Sequence, residues 1–148
     1  MQRKIIPDIV ERLNIASVTV DDTVFNCAKK MADAHVAALI VVDADDNLIG
    51  ILTERDLTQK VLAAGLDGQS TKAGDVMTAD PDTLAPDDSA RDALELMQTR
   101  GYRHLPVAEG GKCVSIVSIR DLYSAVKEAL EEDIKETEAF VFGDRYGA

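Results

Sequence analysis

The sequence holds little of what most enzymes and nucleic-acid proteins need. It has two cysteines and two histidines in 148 residues. Cys27 and Cys113 lie too far apart for any metal-ligand spacing, and two cysteines cannot make a disulfide framework. There is no HExxH, no GxxxxGK[ST], no GxSxG and no GxGxxG, so the common metal, phosphate-loop and nucleophile signatures are missing. The longest apolar run, Val36–Val42, is far too short to span a bilayer. Met1-Gln2-Arg3-Lys4 is followed by Ile5-Ile6-Pro7-Asp8, which does not resemble a signal peptide, so the expected compartment is the cytoplasm. Positive charge is also short: 16 Lys+Arg stand against 27 Asp+Glu, a net −11. That is a poor match for a polyanionic polymer, whose affinity comes largely from phosphate neutralisation. Neither nucleic acid nor membrane is an expected partner.

What is present is a repeat. At an offset of 66 residues, Val20-Asp21-Asp22-Thr23-Val24 aligns with Pro86-Asp87-Asp88-Ser89-Ala90, Met31 with Met97, Leu39 with Leu105 and Val41 with Val107. One residue is then dropped. The register resumes with Ile51-Leu52-Thr53-Glu54-Arg55-Asp56-Leu57 against Ile116-Val117-Ser118-Ile119-Arg120-Asp121-Leu122. Each copy starts with a strand-like segment, Val18–Val20 or Thr83–Ala85. Acids follow that suit a helix N-terminus, Asp21-Asp22-Thr23 or Asp87-Asp88-Ser89. Val24, Cys27, Ala28 and Met31, like Ala90, Ala93, Leu94 and Met97, take the i, i+3, i+4, i+7 spacing of one helix face. Two strands joined by a turn and a second helix complete a β-α-β-β-α unit. Such a unit is too small to bury its sheet alone, so the two are expected to pack sheet to sheet. Cys27 and Cys113 fall on apolar patterns and read as small buried hydrophobes.

The segment with the most chemistry is Gly50-Ile51-Leu52-Thr53-Glu54-Arg55-Asp56, echoed by Ser115-Ile116-Val117-Ser118-Ile119-Arg120-Asp121. A hydroxyl residue three positions before an acid at a helix start is a capping box. The same carboxylate could instead accept hydrogen bonds from the vicinal hydroxyls of a ribose, with the exposed helix N–H groups facing a phosphate.

With Met31 and Met97, the linker Asp75-Val76-Met77-Thr78 and Arg103-His104-Leu105-Pro106-Val107, these residues closely resemble a tandem pair of cystathionine-β-synthase-type (CBS) domains, a Bateman module, over residues 15 to 128. The resemblance implies an α+β fold of two β-α-β-β-α repeats related by a pseudo-twofold. It implies clefts between them for AMP, ADP, ATP, NAD or S-adenosylmethionine, pairing into a homodimer, and regulation of a target protein. Carried over, Asp56 and Asp121 take the ribose, with Thr53 and Ser118 at the hydroxyl position. The Asp56 cleft is then completed by Thr78 to Leu84, Thr83 among them, and by Tyr102, Arg103 and His104. The Asp121 cleft is completed by Ala16 and Val18 and by Val36, Ala37 and Ala38. Arg55 and Arg120 flank the acids. Arg103, His104 and Arg120 would form a cationic patch for phosphate, and His104 would lose its contribution above about pH 6.5. Ser115, standing where the first copy has Gly50, would hold the backbone away from a ligand in the second cleft. Asp80 and Asp82, if turned inward, would repel phosphate.

The expected division is an N-terminal helical head at 1–14, repeat one at 15–66, a linker at 67–80, repeat two at 81–128, and an acidic helix extension with an aromatic tail at 129–148. In the head, Ile5, Ile6, Ile9, Val10 and Leu13 have helical spacing and would pack on the module or on a dimer mate. In the tail, Phe140, Phe142 and Tyr146 would dock on a second subunit or a target. No metal and no obligatory cofactor is expected, and two competing classes stand beside the sensing module. One is a structural dimer whose clefts bind nothing; the other is a small enzyme using His104 with Cys113.

Overall fold

A computed structural model describes residues 3–146, with side chains through residue 141. Each repeat has an eleven-residue helix near its start, and repeat one has a short strand before it. In repeat one these are β1 (Ser17–Val18) and α1 (Val24–Ala34). Repeat two has α4 (Ala90–Arg100). The sequence pointed to the acids as caps for these helices, but hydroxyls do that work. Thr23 Oγ1 accepts from Asn26 N–H at 3.2 Å and Ser89 Oγ from Asp92 N–H at 3.1 Å. The acids brace the preceding turn: Asp22 and Asp88 accept from the N–H groups of Thr19 and Ala85, both at 2.8 Å. Both helices stop on a left-handed residue, His35 (φ 55°) and Gly101 (φ 73°).

The hairpin of repeat one joins β2 (Ala38–Val42) to β3 (Leu48–Thr53), and that of repeat two joins β5 (His104–Glu109) to β6 (Lys112–Ser118). Both are antiparallel, with Ala38 opposite Thr53 and His104 opposite Ser118. The second helix of repeat one begins as α2 (Glu54–Asp56) and runs on, more widely wound, through Leu57–Leu62. In repeat two it is α5 (Ile119–Tyr146), a single helix.

Side-chain alternation along β2 sends Leu39 and Val41 towards the helices, where they join Val24, Cys27, Met31, Leu52 and Val61. Leu105, Val107 and Val117 do the same beside Ala90, Ala93, Met97 and Leu122. Ala38, Ile40, Val42 and Ile51 are buried outside both clusters, on the sheet face that meets the other repeat. The hairpin tips are tied as well. Leu48 N–H donates to Gly111 O at 2.9 Å, and Lys112 Nζ to Asp45 O at 2.7 Å.

The first strands differ for one covalent reason. In repeat one, β1 pairs in parallel with β2, and Ile40 N–H donates to Ala16 O at 3.3 Å. The residue in register with Ile40 is Pro106, which has no N–H to give. The strand expected over Thr83–Ala85 is therefore reduced to a single bridge, Leu84 to Val107.

The segments before each repeat also match. In the linker, α3 (Ala73–Val76) and β4 (Thr78–Ala79) return to repeat one, where β4 pairs with β3. Ala73 N–H donates to Asp22 O and Gly74 N–H to Val20 O. The head does the same for repeat two: Ile5 N–H donates to Asp88 O, Ile6 N–H to Pro86 O and Leu13 N–H to Val114 O. It is a strap rather than a helix. Only Ile5–Ile9 form a wide turn, with Ile6 extended, and the anchor Ile5 is fully buried.

Candidate functional site

β3 and β6 each end in a hydroxyl residue and hand over directly to a helix, so the same device appears at both helix starts. At the first, Thr53 N–H donates to Asp56 Oδ2 at 2.9 Å, and Asp56 N–H donates to Thr53 Oγ1 at 3.3 Å. At the second, Ser118 N–H donates to Asp121 Oδ2 at 2.9 Å, and Asp121 N–H to Ser118 Oγ at 3.1 Å. The capping box is therefore real in both copies. One oxygen of each carboxylate caps, and what becomes of the other differs between them.

The neighbouring strand starts lie against these helices. Glu54 N–H donates to Ala37 O at 3.0 Å, and Ile119 N–H to Arg103 O at 2.8 Å. His104, half-buried at the start of β5, lies close enough to both Glu54 and Asp121 to feel both charges. It thus links the start of α2 in one repeat with the start of α5 in the other. Burial holds its imidazole below the usual 6.5, with Arg103 acting in the same direction and Glu54 and Asp121 opposing. The pH at which His104 would gain charge for a phosphate is therefore lower than its unperturbed value suggests. Glu54, across from it, had no signal in the sequence beyond its place in the motif.

The remaining candidates separate by exposure. Arg55, Arg103 and Arg120 are exposed, as is Thr83. Tyr102 packs on the core of repeat two. Val18 is buried in the core of repeat one and Ala38 on the inter-repeat face, so both could offer a ligand only backbone atoms. Ala16 lines a 380 Å³ groove with Asn26, Lys29, Lys30, Asp33 and Ala34 on the flank of α1. Val36 and Ala37 line one of 480 Å³ with Met31, His35, Glu54 and Leu57.

Two expectations change. Ser115 points to the helix side of its sheet, fully buried, and its Oγ donates to Glu11 O at 2.8 Å. It meets the strap and not a cleft. At the matching Gly50, a Cβ would collide with Met77 Sδ and lie 3.2 Å from Thr78 O. The small residue makes room for the linker, and the head leaves room for a hydroxyl. Asp82 is partnered by Arg100 at 3.8 Å, which offsets its charge.

Burial pushes both thiols up to about 11, so neither Cys27 nor Cys113 is ionised near neutrality. Cys113 Sγ donates to Ser115 O at 3.1 Å. Among the described residues no group of three His, Cys, Asp or Glu could hold a metal ion, and no helix is long and apolar enough to cross a membrane.

A family model, "CBS domain", matches residues 6–63 and again 73–128. The chain belongs to the CBS-domain family. Both matched stretches include part of the segment that precedes each repeat, the strap in one case and α3–β4 in the other. Among curated relatives, the CBS domain-containing protein CBSX3, mitochondrial, of Arabidopsis thaliana is 36% identical over 129 residues, covering 84% of this chain and 63% of that protein. The chain thus spans less than two thirds of that relative. A CBS-domain protein structure from Burkholderia ambifaria superposes with a TM-score of 0.72 at 38% identity, covering 76% of this chain and 82% of the other. CBSX2, solved in complex with AMP, has the same fold at a TM-score of 0.67 and 22% identity, covering 78% of this chain and 90% of that one.

Proposed function

We propose that the chain is a regulatory Bateman module that binds an adenosine-containing ligand between its two CBS repeats and passes the event to a target protein. The observation that carries this reading is the duplicated strand-to-helix junction, Thr53–Asp56 and Ser118–Asp121, in a chain of this family. At each, a carboxylate on a helix start can accept from vicinal ribose hydroxyls, while the uncapped N–H groups and Arg120 or Arg103 face phosphate. The CBSX2 complex with AMP supports the ligand class. AMP, ADP, ATP, NAD and S-adenosylmethionine all carry the adenosine group that such a junction recognises. The signal would be a population shift, the ligand favouring one relative angle of the repeats. In this reading the module senses and does not catalyse, and the cytoplasm suits its free thiols.

Self-association into a homodimer is supported by apolar surface left on the helical side of the molecule. Phe25, Leu62 and Tyr123 are 50%, 76% and 53% exposed. Along α5, Leu130, Ile134 and Phe140 are exposed too, a surface for the second subunit or the target. Phe142 and Tyr146, named with Phe140 as docking residues, lie outside the residues whose side chains are described.

A thermal-shift panel with AMP, ATP, NAD and S-adenosylmethionine tests the reading. Binding to the folded state raises the melting temperature with ligand concentration by mass action. At least one compound is expected to do so, and Asp56→Ala or Asp121→Ala to remove the shift cleft by cleft. If none of the four moves the transition, the alternative of a structural dimer with non-binding clefts takes its place.

A further inference from the structure

The two junctions share a cap but leave different carboxylates behind. In repeat one, both oxygens of Asp56 have partners. Its Oδ2 accepts from Thr53 N–H at 2.9 Å and from the Thr53 hydroxyl at 3.2 Å. Its Oδ1 is paired with Lys60 Nζ at 3.0 Å, one helical turn on. That ammonium is held from a second side, since it also donates to Val76 O, at the end of α3, at 3.0 Å. The carboxylate is only 14% exposed, so solvent screens the pair less than it would on an open surface.

In repeat two, Asp121 Oδ2 caps Ser118 N–H, and the Ser118 hydroxyl accepts from Asp121 N–H. Among the described residues the ion pairs include Asp56 but not Asp121. In sequence register, Lys60 is replaced by Ala125, a buried methyl. Among the described residues, the head, which occupies the place of the linker here, brings no counterpart of the Lys60–Val76 contact. An ionised carboxylate is an acceptor only, with room for several donors. A ribose diol arriving at Asp121 finds one oxygen uncommitted. At Asp56 it must displace an ammonium that the Val76 carbonyl also holds in place.

We infer that the module carries one strong adenosine site per chain, at Asp121, and that Lys60 is the residue that withholds Asp56 from the ribose. The inference rests on the sensing reading above and narrows it. It assigns Lys60 a specificity role that a surface helix lysine would not have: it decides how many ligands the module counts.

Isothermal titration of the full-length chain with AMP tests it. The wild type is expected to take up one AMP per chain. Asp121→Asn should weaken that event by about tenfold or more, the loss of a charge-assisted hydrogen-bond acceptor. Asp121→Glu, which keeps the charge and moves it, serves if the Asn variant does not fold. Lys60→Met keeps the apolar stem and removes the ammonium; a second AMP per chain should then appear. Two equal sites in the wild type, or a Lys60→Met variant that still takes one AMP, would overturn the inference while leaving the sensing reading in place. No heat of binding in either protein would overturn this inference, and the four-compound thermal-shift panel would then decide whether the sensing reading falls with it.

Discussion

Repeat one and repeat two are built to the same plan and finished differently. Repeat one receives a true edge strand, β4, from the linker, and so has a four-stranded sheet. Repeat two has two ladder strands, a single bridge at Leu84 and a strap from the head. The differences trace to single residues. Pro106 cannot donate where Ile40 does. Ser115 bonds the strap where Gly50 makes room for Met77. Lys60 pairs with Asp56 where repeat two has a buried Ala125. A duplicated fold can thus keep its core and still make its two strand-to-helix junctions unequal, because the segments that complete each repeat come from outside it.

If the helix-side cores are equivalent, their disruption should cost alike. Leu39→Ala and Leu105→Ala each remove a fully buried side chain and should each destabilise by about 2–5 kcal/mol. Urea unfolding should show one transition for both variants, since the repeats share the inter-sheet face; two transitions would show that they fold independently. The Gly50/Ser115 contrast should be asymmetric. Gly50→Val presses on Met77 and Thr78 and should cost about 1–3 kcal/mol by overpacking. Ser115→Gly loses one hydrogen bond to the strap and should cost about 1 kcal/mol.

The caps should return the comparison to symmetry. Thr53→Ala and Ser118→Ala should each lose about 1 kcal/mol, read from denaturation midpoints. A much larger loss at Thr53 would mean that its hydroxyl bond into Asp56 matters beyond the cap.

The smallest effect is one of pH. Burial lowers the folded-state pKa of His104 below 6.5. Between the two values the unfolded chain binds more protons, so stability rises with pH up to about 6.5 and levels off above it. His104→Gln should flatten that rise in melting temperature between pH 5 and 7. An unchanged profile would place the titration elsewhere.

Much of this was legible in the sequence, and the parts that were not share a cause. The 66-residue register, the hairpins and both capping boxes follow from local patterns, and local patterns survive folding. The head misled because Ile5, Ile6 and Ile9 satisfy a helical period while serving as the anchors of an extended strap. Only the tertiary bonds to Asp88 and Pro86 decide between the two. Ser115 was read as holding the backbone away from a ligand because the motif alone does not show what lies behind a strand. Lys60 stands four residues after Asp56, a spacing that permits an ion pair without requiring one. Val76, which holds it in place, is distant in sequence.

A crystal structure of the chain grown with AMP would test the central claim most directly. The account predicts AMP with its ribose hydroxyls on the Asp121 carboxylate, and Lys60 still paired with Asp56. AMP seated on Asp56 with Asp121 empty, or AMP bound nowhere between the repeats, would contradict it.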